Sequence, residues 1–213
     1  MNIYNDITLI IVCFKSEDLI KKNLSQIKRF NTIIVDNSRS LETETLVKDL
    51  TNIKYVKTNK NLGYGKACNL GVTYCSTPFI IFLNPDILID PISIEKLYNF
   101  FYVYENVGLL VPSLYDENNN RRTNGSPSIL KKRYFKKKKI YNYNLANGNA
   151  CYDYAIGCAF LFKKDFFESI GGFDEDFFMY FEDNEICDRI YRNNKTVIEV
   201  PDSKMIHLQG KSS

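Results

Sequence analysis

The sequence predicts an α/β fold: one mostly parallel central sheet with helices on both faces, in a single domain. Three observations carry this. Strand-like and helix-like segments alternate through the first half of the chain. The strands are near-continuous apolar runs, as in ITLIIVC from Ile7 to Cys13, which is how strands buried on both faces read. With 213 residues, 45% of them hydrophobic, the chain can bury one substantial core.

The elements follow in order. After the strand at Ile7 to Cys13, Ser16 can cap a helix whose Ile20, Leu24 and Ile27 share a face. TIIV, Thr32 to Val35, is the next strand and runs into Asp36-Asn37-Ser38. A short helix covers roughly Glu42 to Leu50, and IKYV, Ile53 to Val56, makes a third strand. Gly63 to Cys75 reads as loop then helix. FIIFL, Phe79 to Leu83, is a fourth strand that ends on Asn84-Pro85-Asp86. Pro91 suits a helix first turn, and Ile94, Leu97, Tyr98 and Phe101 then face inward on a helix reaching Tyr104.

The second half is less regular. Val107 to Val111 is a strand. Asp116 to Tyr143 is polar, basic and weakly periodic, which predicts a long mobile loop. AIGCAFLF, Ala155 to Phe162, reads as one buried strand containing Gly157. Gly171-Gly172 and an aromatic, acidic run to Phe181 precede a helix from about Glu182 to Asn193. A last strand spans Thr196 to Val200.

Composition excludes several function classes. The formal charge is +3, yet Lys131 to Lys139 (KKRYFKKKK) alone carries seven basic residues. The remaining body is mildly acidic, so a uniformly basic nucleic-acid binder is excluded. No two of the six cysteines form a C-x-x-C pair, so zinc spacing is missing and a reducing cytoplasm is the expected home. No apolar run approaches the ~20 residues that span a bilayer. NLGYGKAC has Gly63 and Gly65, but Cys68 stands where a dinucleotide fingerprint has its third glycine. A phosphate-cradling GxxxxGK[ST] is absent, and one histidine without G-x-S-x-G gives no serine triad.

Parallel sheets bind ligands at the carboxyl ends of their strands. Lys15-Ser16, Asp36-Asn37-Ser38, Asn59-Lys60-Asn61 and Asn84-Pro85-Asp86 should therefore share one edge. Each has a plain reading beside a chemical one. Asp36 is either a turn residue or an acceptor for the imide N–H of a pyrimidine base. The Asn59 to Gly65 loop is either a connection or a close approach to a nucleoside. Asp86 is either a turn residue or a ligand for a hard divalent cation, and Asp90 a helix N-cap. Glu182 and Asp183 suit a helix first turn electrostatically. They also follow Phe177, Phe178, Tyr180 and Phe181, an aromatic wall of the kind that raises a carboxylate pKa toward that of a working base.

The order VDNS, NLGYG, FLNPD, GGFDEDFFMYFED and IHLQGKS resembles a family 2 glycosyltransferase of the GT-A fold, closest to rhamnosyltransferase-like members that build bacterial surface polysaccharides. The resemblance implies a nucleotide-binding half over about residues 1–106 and an acceptor-side half over about 107–213. It implies an inverting transfer from a nucleotide-diphosphate sugar, dTDP-rhamnose or a UDP-sugar, to a glycan or lipid-linked hydroxyl. Asp183 would be the catalytic base, with Glu182 and Tyr180 on the acceptor side. Asp36, Asn61, Gly63, Asn84 and Lys211 would serve the donor. Asp86 and His207 would hold Mg²⁺ or Mn²⁺. Lys131 to Lys139 could dock on an anionic membrane. A non-catalytic sugar-nucleotide module and a nucleotidyltransferase are the rival readings.

Overall fold

The computed structural model describes residues 3–38, 40–126 and 148–208. Its elements are α1 (Ile3–Asp6), β1 (Ile7–Cys13), α2 (Glu17–Ile27), β2 (Asn31–Asp36), α3 (Leu41–Val47), β3 (Ile53–Lys57), α4 (Tyr64–Val72), β4 (Phe79–Leu83), β5 (Ile87–Leu88) and α5 (Pro91–Phe100). There follow β6 (Val107–Tyr115), β7 (Arg121–Arg122), β8 (Gly125–Ser126), β9 (Ala150–Tyr152), β10 (Tyr154–Ala155), β11 (Ala159–Lys163), α6 (Lys164–Ser169), α7 (Glu182–Arg192) and β12 (Thr196–His207).

The main sheet runs β3-β2-β1-β4-β11-β6-β12-β5. The first four strands are parallel, and their register aligns Cys13 with Asp36, Asp36 with Lys57, and Ile11 with Leu83. Their carboxyl ends, with the four polar clusters, therefore lie along one edge. Strand β11 is antiparallel to β4, with Ala159 opposite Leu83, so the segment before β11 arrives at that same edge. Strand β12 is parallel to β6 and ends antiparallel to β5, with His207 opposite Ile87.

Apolar strands with both faces covered produce two cores. One gathers Ile20, Ile27, Ile94, Leu97 and Tyr98 of α2 and α5 on Leu9, Ile81 and Leu161. The other gathers Ala67, Cys68, Ile186 and Ile190 of α4 and α7 on Ile10, Phe82 and Phe160. All six cysteines are free thiols, and only Cys151 is exposed.

Several sequence expectations need correction. Ser16 occupies the N-cap of α2 but makes no side-chain cap; its hydroxyl donates to the Phe14 carbonyl at 3.0 Å. The Ala155 to Phe162 run is broken: Ala155 ends β10, which pairs with β8, and β11 begins only at Ala159. The last strand continues seven residues past Val200 to His207, across a register shift between Val200 and Lys204. The start of the expected loop carries strands β7 and β8. Lys131 to Lys139 and Lys211 lie outside the described residues.

Candidate active site

The turn after β4 sets the first candidate carboxylate, Asp86. Pro85 fixes the second position of a tight turn closed by the Ile87 N–H on the Asn84 carbonyl, 3.0 Å. The Asn84 N–H donates to the Cys158 carbonyl at 2.9 Å, which ties the turn to the segment before β11. Asp86 is wholly buried, and its Oδ1 lies 3.3 Å from His207 Nε2. The β5–β12 pairing makes this meeting possible, and the Leu208 N–H donates to the Asp86 carbonyl at 2.9 Å.

A buried carboxylate beside an imidazole is a hard-cation donor pair. Among the described residues no third histidine, cysteine or acid completes a ligand cluster. Mg²⁺ and Mn²⁺ accept one or two protein ligands and fill their remaining positions with water and phosphate oxygens. The residues present fit such an ion.

The second carboxylate pair opens α7. Asp183 Oδ2 accepts the Gly157 N–H at 3.2 Å, and Oδ1 accepts the Asn184 N–H at 2.8 Å. A Cβ on Gly157 would stand 3.1 Å from the Asp183 Cβ, so glycine allows this approach. Burial raises the Asp183 pKa above the ordinary carboxylate range, while these N–H groups oppose the rise. Glu182 is 7% exposed, and its Oε2 has no hydrogen-bond partner. Burial, then the neighbouring Asp183 charge, push its pKa up. Cys158 lies between the two carboxylate centres: burial raises its thiol pKa first, and Asp86 and Asp183 raise it further.

The aromatic residues do not form the expected wall. Phe178, Met179, Tyr180 and Phe181 are all about half exposed or more, with Tyr180 at 72%. Tyr180 and Phe181 both take left-handed backbone, φ 69° and 70°, which turns the run outward before α7 begins.

At the end of β2, Asp36 is fully buried and internally satisfied. Its Oδ1 accepts the Ser38 N–H (2.7 Å) and hydroxyl (2.6 Å). Its Oδ2 accepts the Ser40 N–H (2.9 Å) and the Tyr55 hydroxyl (2.6 Å). This geometry gives Asp36 the turn-organising role; a base contact would require exchanging one of these bonds. Asn61 Oδ1 accepts the Gly63 N–H at 3.0 Å, so it too shapes its own loop. Gly63 is needed for a close approach, but to the chain itself: at φ 81° its Cβ would stand 2.1 Å from the Phe178 carbonyl oxygen.

Residues that sequence reasoning missed hold these loops together. Asn37 donates to the Gly63 carbonyl at 3.1 Å and accepts the Leu62 N–H at 3.3 Å. Tyr64 links both flanks of Asp183: its N–H donates to the Phe178 carbonyl (3.1 Å) and its hydroxyl to the Gly157 carbonyl (3.0 Å). Asn23 braces the Asp86 turn from α2. A glycine inside a strand-like run and a polar residue on the apolar face of a helix were the available signals for Gly157 and Asn23. An open hollow of about 450 Å³ between α4 and α7 is separate. Its lining includes neither Asp86 nor Asp183, and Arg189 there is already paired with Glu185.

Comparison with known proteins gives the family and the fold. The family described as Glycosyl transferase family 2 matches residues 8–171, and a galactosyltransferase N-terminal domain family matches 141–211. A low-salt glycan biosynthesis hexosyltransferase of Haloferax volcanii is 29% identical over 96% of this chain and 68% of its own length. An N-acetylglucosaminyl-diphospho-decaprenol L-rhamnosyltransferase of Mycobacterium tuberculosis is 23% identical, over 86% of this chain and 68% of its own. A solved mannosyltransferase of Pyrobaculum calidifontis, in complex with GDP-Man and Mn²⁺, superposes with TM-score 0.71 at 17% identity, over 97% of this chain. The present chain covers 58% of that structure. The likeness establishes the GT-A fold.

Proposed function

The chain belongs to glycosyl transferase family 2, and from that premise we propose that it is an inverting glycosyltransferase. It moves a sugar from a nucleotide-diphosphate donor, dTDP-rhamnose or a UDP-sugar, to a hydroxyl of a glycan or lipid-linked acceptor. The observation that carries this reading is the pair of centres on one strand edge, Asp86 with His207 and Asp183 with Gly157, on either side of Cys158.

Asp183 is the base. Its two N–H bonds orient the carboxylate and leave lone pairs to take the acceptor proton. Its raised pKa brings it nearer the range in which a base works at neutral pH. The proton leaves the acceptor hydroxyl as its oxygen attacks the anomeric carbon from the face opposite the diphosphate. Asp86 and His207 would hold Mg²⁺ or Mn²⁺, which would offset negative charge on the leaving diphosphate. The Asn61 to Gly63 loop and Asn84 border the donor. Tyr180 and the exposed residues beside it border the acceptor.

No helix among the described residues is long and apolar enough to cross a membrane. The enzyme works in the cytoplasm, with Lys131 to Lys139 touching the anionic inner face of the cell membrane at ~1 kcal/mol per basic residue. The test is transfer itself. Purified protein is incubated with Mn²⁺, each nucleotide sugar and a lipid-diphosphate sugar acceptor, and the product anomer is read by NMR. Inverted product supports the proposal; donor binding without transfer, or a retained anomer, overturns it.

A further inference from the structure

The Asp86 turn is gripped by a side chain of α2, more than sixty residues earlier in the sequence. Asn23 lies on α2, only 5% exposed, on the same helix face as the buried Ile20 and Ile27. Helical periodicity would fill that position with an apolar residue. The amide instead makes three hydrogen bonds across 62 to 66 residues of sequence. Nδ2 donates to the Pro85 carbonyl at 3.2 Å and to the Ile87 carbonyl at 2.8 Å. Oδ1 accepts the Ile89 N–H at 3.0 Å. The amide orientation is forced, because reversing it would set its oxygen against two carbonyls.

These contacts bracket Asp86. Pro85 precedes it and Ile87 follows it, and both carbonyls are held by the same nitrogen. The Leu208 N–H holds the Asp86 carbonyl from β12. The carboxylate therefore leaves a peptide segment fixed from both sides of the sheet end, and it reaches His207 at 3.3 Å.

We propose that Asn23 is a positioning residue for the Asp86 carboxylate, setting its approach to a divalent cation through the backbone of the turn. The inference rests on the reading of Asp86 as a metal ligand. Groups that orient a ligand typically change metal affinity 10- to 100-fold when removed. A residue that served only folding would lower the melting temperature and leave the metal affinity of the folded protein unchanged.

The test is calorimetric titration of Mn²⁺ into full-length protein, with UDP and with dTDP in separate runs, well below the melting temperature of each variant. Wild type, Asn23→Ala, Asn23→Ser and Asp86→Ala are compared, with melting curves recorded in parallel. Asn23→Ala should weaken Mn²⁺ binding roughly 10- to 100-fold while still melting cooperatively. Asn23→Ser should show an intermediate loss, since one short hydroxyl can satisfy one carbonyl. If Asp86→Ala loses Mn²⁺ and Asn23→Ala binds as wild type does, the positioning role is overturned. If Asp86→Ala itself binds Mn²⁺ normally, the metal reading has failed and the inference falls with it. If neither Asn23 variant folds, the residue is structural and the proposal is rejected.

Discussion

Replacing Gly63 with alanine tests how the loop before α4 and the segment entering α7 are joined. Gly63 has φ 81° and ψ −178°, a region open in practice only to glycine. Holding alanine there costs about 1–3 kcal/mol. The new Cβ would also sit 2.1 Å from the Phe178 carbonyl oxygen, a backbone atom that no rotamer change can move away. Ordinary carbon–oxygen contact lies about 1 Å further out, so the two segments must separate. Separation breaks the Tyr64 N–H bond to that carbonyl and strains the Asn37 bond to the Gly63 carbonyl, each contributing about 1 kcal/mol. The total is about 3–5 kcal/mol. For a chain of this size that lowers the melting temperature by roughly 6–20 °C. Thermal melts followed by circular dichroism give the answer directly. Transfer should fall too, because Phe178 lies five residues before Asp183 on the loop that enters α7. A melting temperature within 2 °C of wild type would falsify the claim that this contact is rigid.

Other outcomes follow from the same geometry. Asp183→Asn keeps the shape and removes the proton acceptor, so transfer should fall roughly 10²–10⁴-fold with donor affinity unchanged, measured by calorimetry and product formation. In the wild type the acidic limb of the rate–pH profile should lie above the ordinary carboxylate range, because burial raises the Asp183 pKa; a limb at or below that range refutes the assignment. Asp86→Ala should abolish transfer and weaken nucleotide-diphosphate binding in Mn²⁺, and full activity in excess EDTA would rule the metal out. Glu182→Gln should leave transfer largely intact and raise the melting temperature at neutral pH. Glu182 has a raised folded-state pKa, so the native state holds its proton longer than the unfolded chain does and stability declines as pH rises through that window. A lower melting temperature for Glu182→Gln at pH 8 than at pH 5, relative to wild type, contradicts this sign.

The parallel half of the fold was legible because ITLIIVC, TIIV and FIIFL are buried on both faces and carry no competing signal. Their carboxyl ends then located Asp86 by rule. The failures have local physical causes. Strand β12 was cut short at Val200 because Asp202, Ser203 and Lys204 interrupt its apolar run. In the structure Ser93 of α5 carries the chain across that shift, accepting the Lys204 N–H at 3.0 Å and donating to its carbonyl at 2.6 Å. Only that continuation brings His207 to Asp86. The run Phe178 to Phe181 reads as an aromatic wall beside the two carboxylates, and two left-handed residues expose it. Asp36 reads as either a turn residue or a base acceptor, and four donors supplied by Ser38, Ser40 and Tyr55 occupy it, as the turn reading expects.

The adjacent acids Glu182 and Asp183 show how position divides two similar groups. Successive residues of a helix point about 100° apart, so the pair cannot share an environment. Glu182 turns into the layer shared with α4, where its charge adds to the raised pKa values of Tyr64 and Cys68, both of them raised chiefly by burial. Its Oε2 gains no hydrogen-bond partner there. Asp183 turns toward the strand edge, where Gly157 and Asn184 each supply an N–H. Burial raises both pKa values; at Glu182 its own backbone N–H opposes the rise, while at Asp183 the N–H groups of Gly157, Asn184 and Asp183 itself oppose it. A base needs this combination: enough desolvation to want a proton, and enough orientation to be aimed when one is offered. Glu182 has the desolvation with fewer donors to aim it. Its charge still acts on the pair, since each carboxylate makes the other harder to ionise. On the proposed reading, Glu182 therefore belongs to the electrostatic setting of the site, and Asp183 takes the acceptor proton.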